Sequence, residues 1–191
     1  MPTVLIRRCP GVPVTRQGSC PISHLWILTG MRRYEIDVHA VSRGSAQTVY
    51  ELLRAGETWP TWSGLGSFTL EQPSPMPDRD GVAASGVGAD QAVGAIRLFR
   101  TGPLRSREQI VELVPGRRLS YVLLSGLPLR DYRADVDLTP TSGGTEIRWR
   151  STFAAKVPGT GWFYRWFLGR FLDQTVRGLA GYAGRASSPA G

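Results

Sequence analysis

The sequence predicts an α+β domain in which one antiparallel sheet is covered on a single face by a long C-terminal helix, with two short helices after the first strand. Between Val93 and Phe153 the chain turns back at four tight bends, and apolar and polar residues alternate along the segments between them. One-sided alternation of this kind marks an antiparallel sheet with one covered and one wet face. From about Thr160 to Ala183 the period becomes helical. Phe163, Phe167, Phe171, Gln174 and Gly178 form one row, and Leu168, Leu172, Thr175, Leu179 and Ala183 form the next. So broad an apolar stripe must pack over a sheet. At 191 residues and 41% hydrophobic, the chain suffices for one well-filled core.

The elements follow in order. Residues 1–30 carry no acidic side chain, several breakers and no sustained periodicity. They are expected to be either a disordered leader or a mis-assigned start with Met31 as the natural one, before a folded domain over 31–185 and a flexible tail over 186–191. Tyr34, Ile36, Val38 and Ala40 alternate with Glu35, Asp37 and His39, which makes a first strand and puts His39 on the surface. Ser45 then caps a short helix, Ala46 to Arg54, whose buried stripe is Val49, Leu52 and Leu53. A second helical turn is expected around Glu57 to Ser63, containing Trp59-Pro60-Thr61-Trp62, before a strand at Ser67 to Glu71. Residues 72–92, with three prolines and several glycines, read as a long loop.

Each bend in the sheet sets a register, and parity then fixes the face of every residue. The Gly102-Pro103 bend puts Arg97 opposite Glu108 and Phe99 opposite Ser106. The Pro115-Gly116 bend puts Ile110 opposite Tyr121 and Glu108 opposite Leu123. The Gly126-Leu127-Pro128 bend brings Leu123 to Tyr132 and Tyr121 to Ala134, and the Thr141-Ser142-Gly143 bend brings Ala134 to Trp149. Arg97 and Glu108 thus stand on an otherwise apolar inward face with Phe99, Tyr121, Tyr132 and Trp149. Arg107, Arg118, Ser120, Arg133, Asp135, Asp137, Arg148 and Arg150 fall on the wet face. Ile96, Leu98 and Val111 also fall there, against the pattern.

Composition narrows the function. The net charge of +8 is almost wholly arginine, Lys156 being the only lysine, and the basic residues are spread among acidic ones without forming a run. No nucleic-acid partner is expected from so undirected an excess. The cysteines, Cys9 and Cys20, both precede the predicted body, and only His24 and His39 supply imidazoles, so neither a disulfide framework nor a metal site is expected. No stretch approaches the roughly 20 apolar residues of a membrane span. Arg7-Arg8 is followed by Cys9-Pro10-Gly11 rather than by an apolar run, which argues against a secretory signal and for the cytoplasm. Gly86-Val87-Gly88-Ala89-Asp90 lacks the flanking strand and helix of a phosphate-binding loop.

The element order, the Trp59-Pro60-Thr61-Trp62 turn, Gly94-Ala95-Ile96-Arg97, Arg107-Glu108 and Gly144-Thr145-Glu146-Ile147-Arg148-Trp149 together resemble the polyketide cyclase/dehydrase and lipid-transport family of the START-like, Bet v 1-like superfamily. The resemblance spans about Arg33 to Ala183. It implies a helix-grip fold, in which a curved antiparallel sheet wraps the C-terminal helix around an internal cavity for lipids, polyketides or other apolar molecules. Some aromatase/cyclases of this superfamily act on their ligands, but no residue set here maps onto a known catalytic motif, so catalytic residues stay unassigned and no cofactor is implied.

The candidate ligand-binding residues are Arg97, Glu108, Tyr121, Tyr132, Trp149, Trp59, Trp62, Phe99 and Phe167. Two charges on an apolar face are costly unless paired with each other or bonded to a ligand. Arg97 could hold a carboxylate, phosphate or enolate oxygen, with Glu108 orienting it; alternatively the pair only fixes register. Trp59 and Trp62 either cap the cavity mouth or join the short helices to the sheet. The aromatic run Trp162 to Phe167, with Arg165 and Arg170, is either the start of the gripped helix or a transient membrane contact. Three functions remain open: binding of a hydrophobic small molecule or lipid, an aromatase/cyclase-type reaction with Arg97 polarising a ketone, and a protein-interaction module built on Ile96, Leu98 and Val111.

Overall fold

The structure, a computed structural model, describes residues 32–75 and 91–186. The expected leader, Met31, both cysteines, most of the 72–92 loop, the Gly86 to Asp90 segment and the tail beyond 186 lie outside the described residues. The elements run β1 (Arg33–Ser42), α1 (Ala46–Arg54), a 3-10 turn (Gly56–Thr58), α2 (Trp59–Trp62), β2 (Ser67–Gln72), β3 (Ile96–Thr101), β4 (Leu104–Val114), β5 (Arg118–Ser125), β6 (Leu129–Thr141), β7 (Gly144–Ala155) and α3 (Gly161–Ala186). The strands form one seven-stranded antiparallel sheet, ordered β1-β7-β6-β5-β4-β3-β2. The curved sheet grips α3, which lies against β1 and β7 and meets α1 and α2, as a helix-grip fold requires.

Local chemistry places each element. Ser45 Oγ accepts from the Thr48 amide at 3.0 Å, closing the start of α1 as its sequence predicts. Gly102, at φ 57°, supplies the left-handed residue that the Gly102-Pro103 loop needs, and Arg97 pairs with Glu108 and Phe99 with Ser106. Ile110 pairs with Tyr121 and Glu108 with Leu123 for a less direct reason. The turn after β4 spans three residues, with Val114 opposite Arg118, and a bulge between Ile110 and Glu112 takes up the extra residue. Val111 sits in that bulge and is half-buried.

Two expected registers are corrected. Ala134 pairs with Ser151 and Trp149 with Val136, because Thr141 and Gly144 stay in the ladder and the loop is Ser142-Gly143. A loop moved along by one residue shifts every partner by two and leaves every face unchanged. The β5–β6 ladder ends at Val122–Arg133, one pair short of Leu123–Tyr132. The β6–β7 ladder is also irregular there, between Arg130 and Arg133, and Asp131 takes φ 50°.

The core lies between the inward sheet face and one row of α3. Leu119, Val136, Ile147, Trp149 and Phe153 pack under Leu168, Leu172, Val176, Leu179 and Ala183, with Val49 and Leu53 of α1 closing one end. The Phe163 row of α3 is left outside or half-buried, so the gripped stripe is narrower than its sequence suggests. α2 crosses α3 closely at Gly178, where a Cβ would lie 1.9 Å from the Trp62 carbonyl oxygen. On the wet face, Arg118 bonds Asp137, and Arg133 bonds both Glu112 and Asp135. These charges cover Ser120, whose Oγ lies 2.8 Å from Asp135 Oδ1. Ile96, Leu98 and Val111 are each half-buried rather than exposed on this face.

Candidate functional site

Between the inward sheet face and α3 lies a cavity of about 280 Å³. Alternation on β4, β5, β6 and β7 delivers Glu108, Tyr121, Tyr132 and Trp149 to one wall, Trp59 of α2 closes the inner end, and Leu168, Leu172 and Thr175 of α3 form the roof. Leu104 and Phe167 line it and are also exposed, at 38% and 43%, so the cavity opens to the surface beside them.

Six of the nine sequence-derived candidates therefore share this cavity: Glu108, Tyr121, Tyr132, Trp149, Trp59 and Phe167. Arg97, Phe99 and Trp62 do not line it. Trp62 is buried beside Trp59, with ring centroids 4.9 Å apart, and gives its Nε1 hydrogen to Thr58 Oγ1 at 3.0 Å. Phe99 packs behind Trp59 at 5.1 Å.

Arg97 also stands behind Trp59, fully buried. Its guanidinium carbon lies 4.8 Å from the Trp59 ring centroid, 5.5 Å from Phe99 and 5.8 Å from Tyr121, a cation inside an aromatic box. Nη1 donates to the Leu53 carbonyl at 3.1 Å, and Trp59 Nε1 donates to the same oxygen at 3.0 Å. Leu53 belongs to the last turn of α1, whose carbonyls lack helical partners and carry partial negative charge, so a cation is favoured there. The Glu108 carboxylate approaches Nη2 only to 3.6 Å, beyond hydrogen-bond reach. Arg97 Nε and Nη2, Glu108 Oε2 and Trp149 Nε1 are buried without a hydrogen-bond partner.

Burial pushes the Glu108 carboxyl up to about 7, the attraction of Arg97 opposing but not cancelling the shift. Burial likewise lowers Arg97, with Glu108 partly offsetting it, yet a guanidinium keeps its proton near neutrality. Tyr121 is raised well above the ordinary phenol range and Tyr132 to about 12, chiefly by burial, so both remain neutral donors. Tyr132 Oη lies 3.1 Å from Ser151 Oγ. The cavity is thus lined by apolar side chains, two neutral phenols, two indoles, of which Trp59 gives its hydrogen to Leu53, and one carboxyl raised to about 7.

The sequence reading missed the α3 roof. Leu168, Leu172 and Thr175 stood on the stripe already assigned to packing, and a stripe that both fills a core and roofs a cavity has one periodicity. Leu104 is the first residue of β4 and Leu127 comes from a turn, where alternation does not mark the face. Among the described residues, no three His, Cys, Asp or Glu side chains gather as a metal site would require.

Residues 33–184 match the family described as polyketide cyclase / dehydrase and lipid transport. No curated protein matches the chain. Among solved structures, it resembles a START superfamily protein from Mycobacterium smegmatis at 12% identity and TM-score 0.62, over 81% of this chain and 99% of that one. It also resembles Ara h 8.0201 at 11% identity and TM-score 0.57, over 80% of this chain and 98% of the other. The protein XoxI from Bacillus cereus aligns at 13% identity and TM-score 0.56, over 78% and 94%. At such identities the likeness is one of fold.

Proposed function

The chain belongs to the polyketide cyclase / dehydrase and lipid transport family, and from that premise we propose that it binds a small hydrophobic molecule in the cavity beneath α3. The observation that carries this reading is the cavity itself, apolar in most of its wall and lined by Trp149 and Glu108, each of which has a buried polar atom, Nε1 and Oε2, without a hydrogen-bond partner. A few converging polar groups in an apolar cleft are what fix a small ligand's orientation. Unmet buried donors are costly, so a ligand oxygen accepting from Trp149 recovers free energy that the unliganded protein lacks. At about 280 Å³ the space is nearly twice that of the ~150 Å³ cavity known to take benzene. Such a volume favours an uncharged molecule of about two fused rings over a whole lipid.

A cyclase-type reaction is supported by one observation. Glu108, at about 7, holds a proton that it can give or take near neutrality, and it shares the wall with Tyr121 and Tyr132. The ketone-polarising role falls away from Arg97, which stands behind Trp59, and passes to these three groups. Native mass spectrometry of the protein incubated with uncharged one- and two-ring phenols and ketones tests the binding reading. One-to-one complexes are expected for the native chain and not for Leu123→Trp, which fills the cavity from β5. An absence of complexes in both, or equal complexes in both, would overturn it.

A further inference from the structure

We propose that the first two turns of α3 dock this domain onto an anionic membrane surface. Four large aromatic residues stand out from those turns: Trp162 is 68% exposed, Trp166 59%, and Phe163 and Phe167 43% each. They form one patch, since Phe163 lies 6.2 Å from the Trp162 ring, 6.3 Å from Trp166 and 6.2 Å from Phe167. Helical spacing explains the continuity, because 162 and 166 form one row and 163 and 167 the next. Water-facing aromatics are individually unremarkable, but four contiguous ones mark a surface with a partner.

The charge around the patch identifies the partner. From Ala154 to Leu172 every charged residue is basic: Lys156, Arg165 and Arg170. The surface groove between β1 and α3 that holds Trp162 and Trp166 is also lined by Arg32, Arg33, Arg165 and Arg170. Its acids are Glu35, Asp37 and Asp173, of which Asp37 is bonded to Arg148 and Asp173 to Arg177, so the arginines dominate. Tryptophan and phenylalanine ringed by arginine is the composition of a helix that lies in the headgroup region, with its rings in the acyl boundary and its cations on anionic lipid. A second copy of this chain is disfavoured, because two such faces meeting would oppose one set of arginines to another. Among the described residues no helix is long and apolar enough to cross a membrane, so the contact lies on the surface. Phe167 belongs to both the patch and the cavity wall, so docking turns the cavity mouth toward the bilayer. Docking itself needs no cavity ligand, and it can fail or hold independently of the binding reading.

The test is co-sedimentation of the full chain with vesicles of phosphatidylcholine alone and of phosphatidylcholine mixed with phosphatidylglycerol. The proposal expects binding to the mixed vesicles, weakened by salt, and little binding to phosphatidylcholine alone. Trp162→Ala with Trp166→Ala should lose roughly tenfold or more of that binding, and Arg165→Gln with Arg170→Gln should reduce the salt dependence. Circular dichroism checks that these surface changes leave the fold intact. Brominated lipid should quench the native chain more than the Trp162/Trp166 double variant. No binding to mixed vesicles, binding that survives the tryptophan changes, or sedimentation equilibrium showing that the patch pairs two copies would each overturn the proposal.

Discussion

Nη2 of Arg97 stands 3.6 Å from Oε2 of Glu108 across β3 and β4, yet the two residues have different surroundings. Arg97 is boxed by Trp59, Phe99 and Tyr121 and tied to the end of α1, whereas Glu108 lines the cavity. The pair is therefore a hinge between scaffold and site: its cation belongs to the core, and its carboxyl to whatever the cavity holds.

That division makes the pair asymmetric to mutation. Glu108→Gln stands in for the protonated carboxyl, which burial already favours below about 7, so near pH 7 it should change stability by about 1 kcal/mol or less. Arg97→Met should cost more, because it empties the aromatic box and leaves the Leu53 carbonyl with Trp59 as its only donor of the two. The double change should resemble Arg97→Met alone. Urea denaturation of the four proteins near pH 7 checks the order.

Stability should also fall as pH rises toward neutrality. The Glu108 pKa is raised from 4.5 to about 7 on folding, so the folded chain holds this proton more tightly than the unfolded one. The associated stability is fully present below 4.5 and lost as pH passes through about 7, a change on the order of 3 kcal/mol. Denaturation midpoints between pH 4.5 and 8 should show the decline, and Glu108→Gln should flatten this component of it.

The grip on α3 depends on backbone contact at Gly178. Gly178→Ala would drive a methyl into the Trp62 carbonyl and should destabilise by about 1 to 3 kcal/mol. Gly169→Ala, on the same helix with nothing within 4 Å of the added carbon, should instead stabilise by up to about 1 kcal/mol. Opposite shifts in melting temperature for the two variants check the packing.

Turns make much of this legible in the sequence. Gly102-Pro103 alone places Arg97 against Glu108, and parity carries Tyr121, Tyr132 and Trp149 to the same face even where the last loop is shifted by a residue. What parity cannot give is depth. Arg97 and Glu108 share a face, but Trp59 arrives from another element and separates one of them from the cavity. The two rows of α3 are similar in sequence, and only the packing of α3 on β1, β7, α1 and α2 separates Leu168, which lies inward, from Phe163, which lies outward.

Equilibrium titration with 2-naphthol, followed by tryptophan fluorescence, reads whether the cavity takes a small uncharged ring compound. Trp59 and Trp149 line the cavity, so saturable quenching with one-to-one stoichiometry is expected, together with its loss in Leu123→Trp and its weakening in Trp149→Phe. A linear, non-saturating response, or saturation that Leu123→Trp leaves unchanged, would mean that no such compound occupies the cavity.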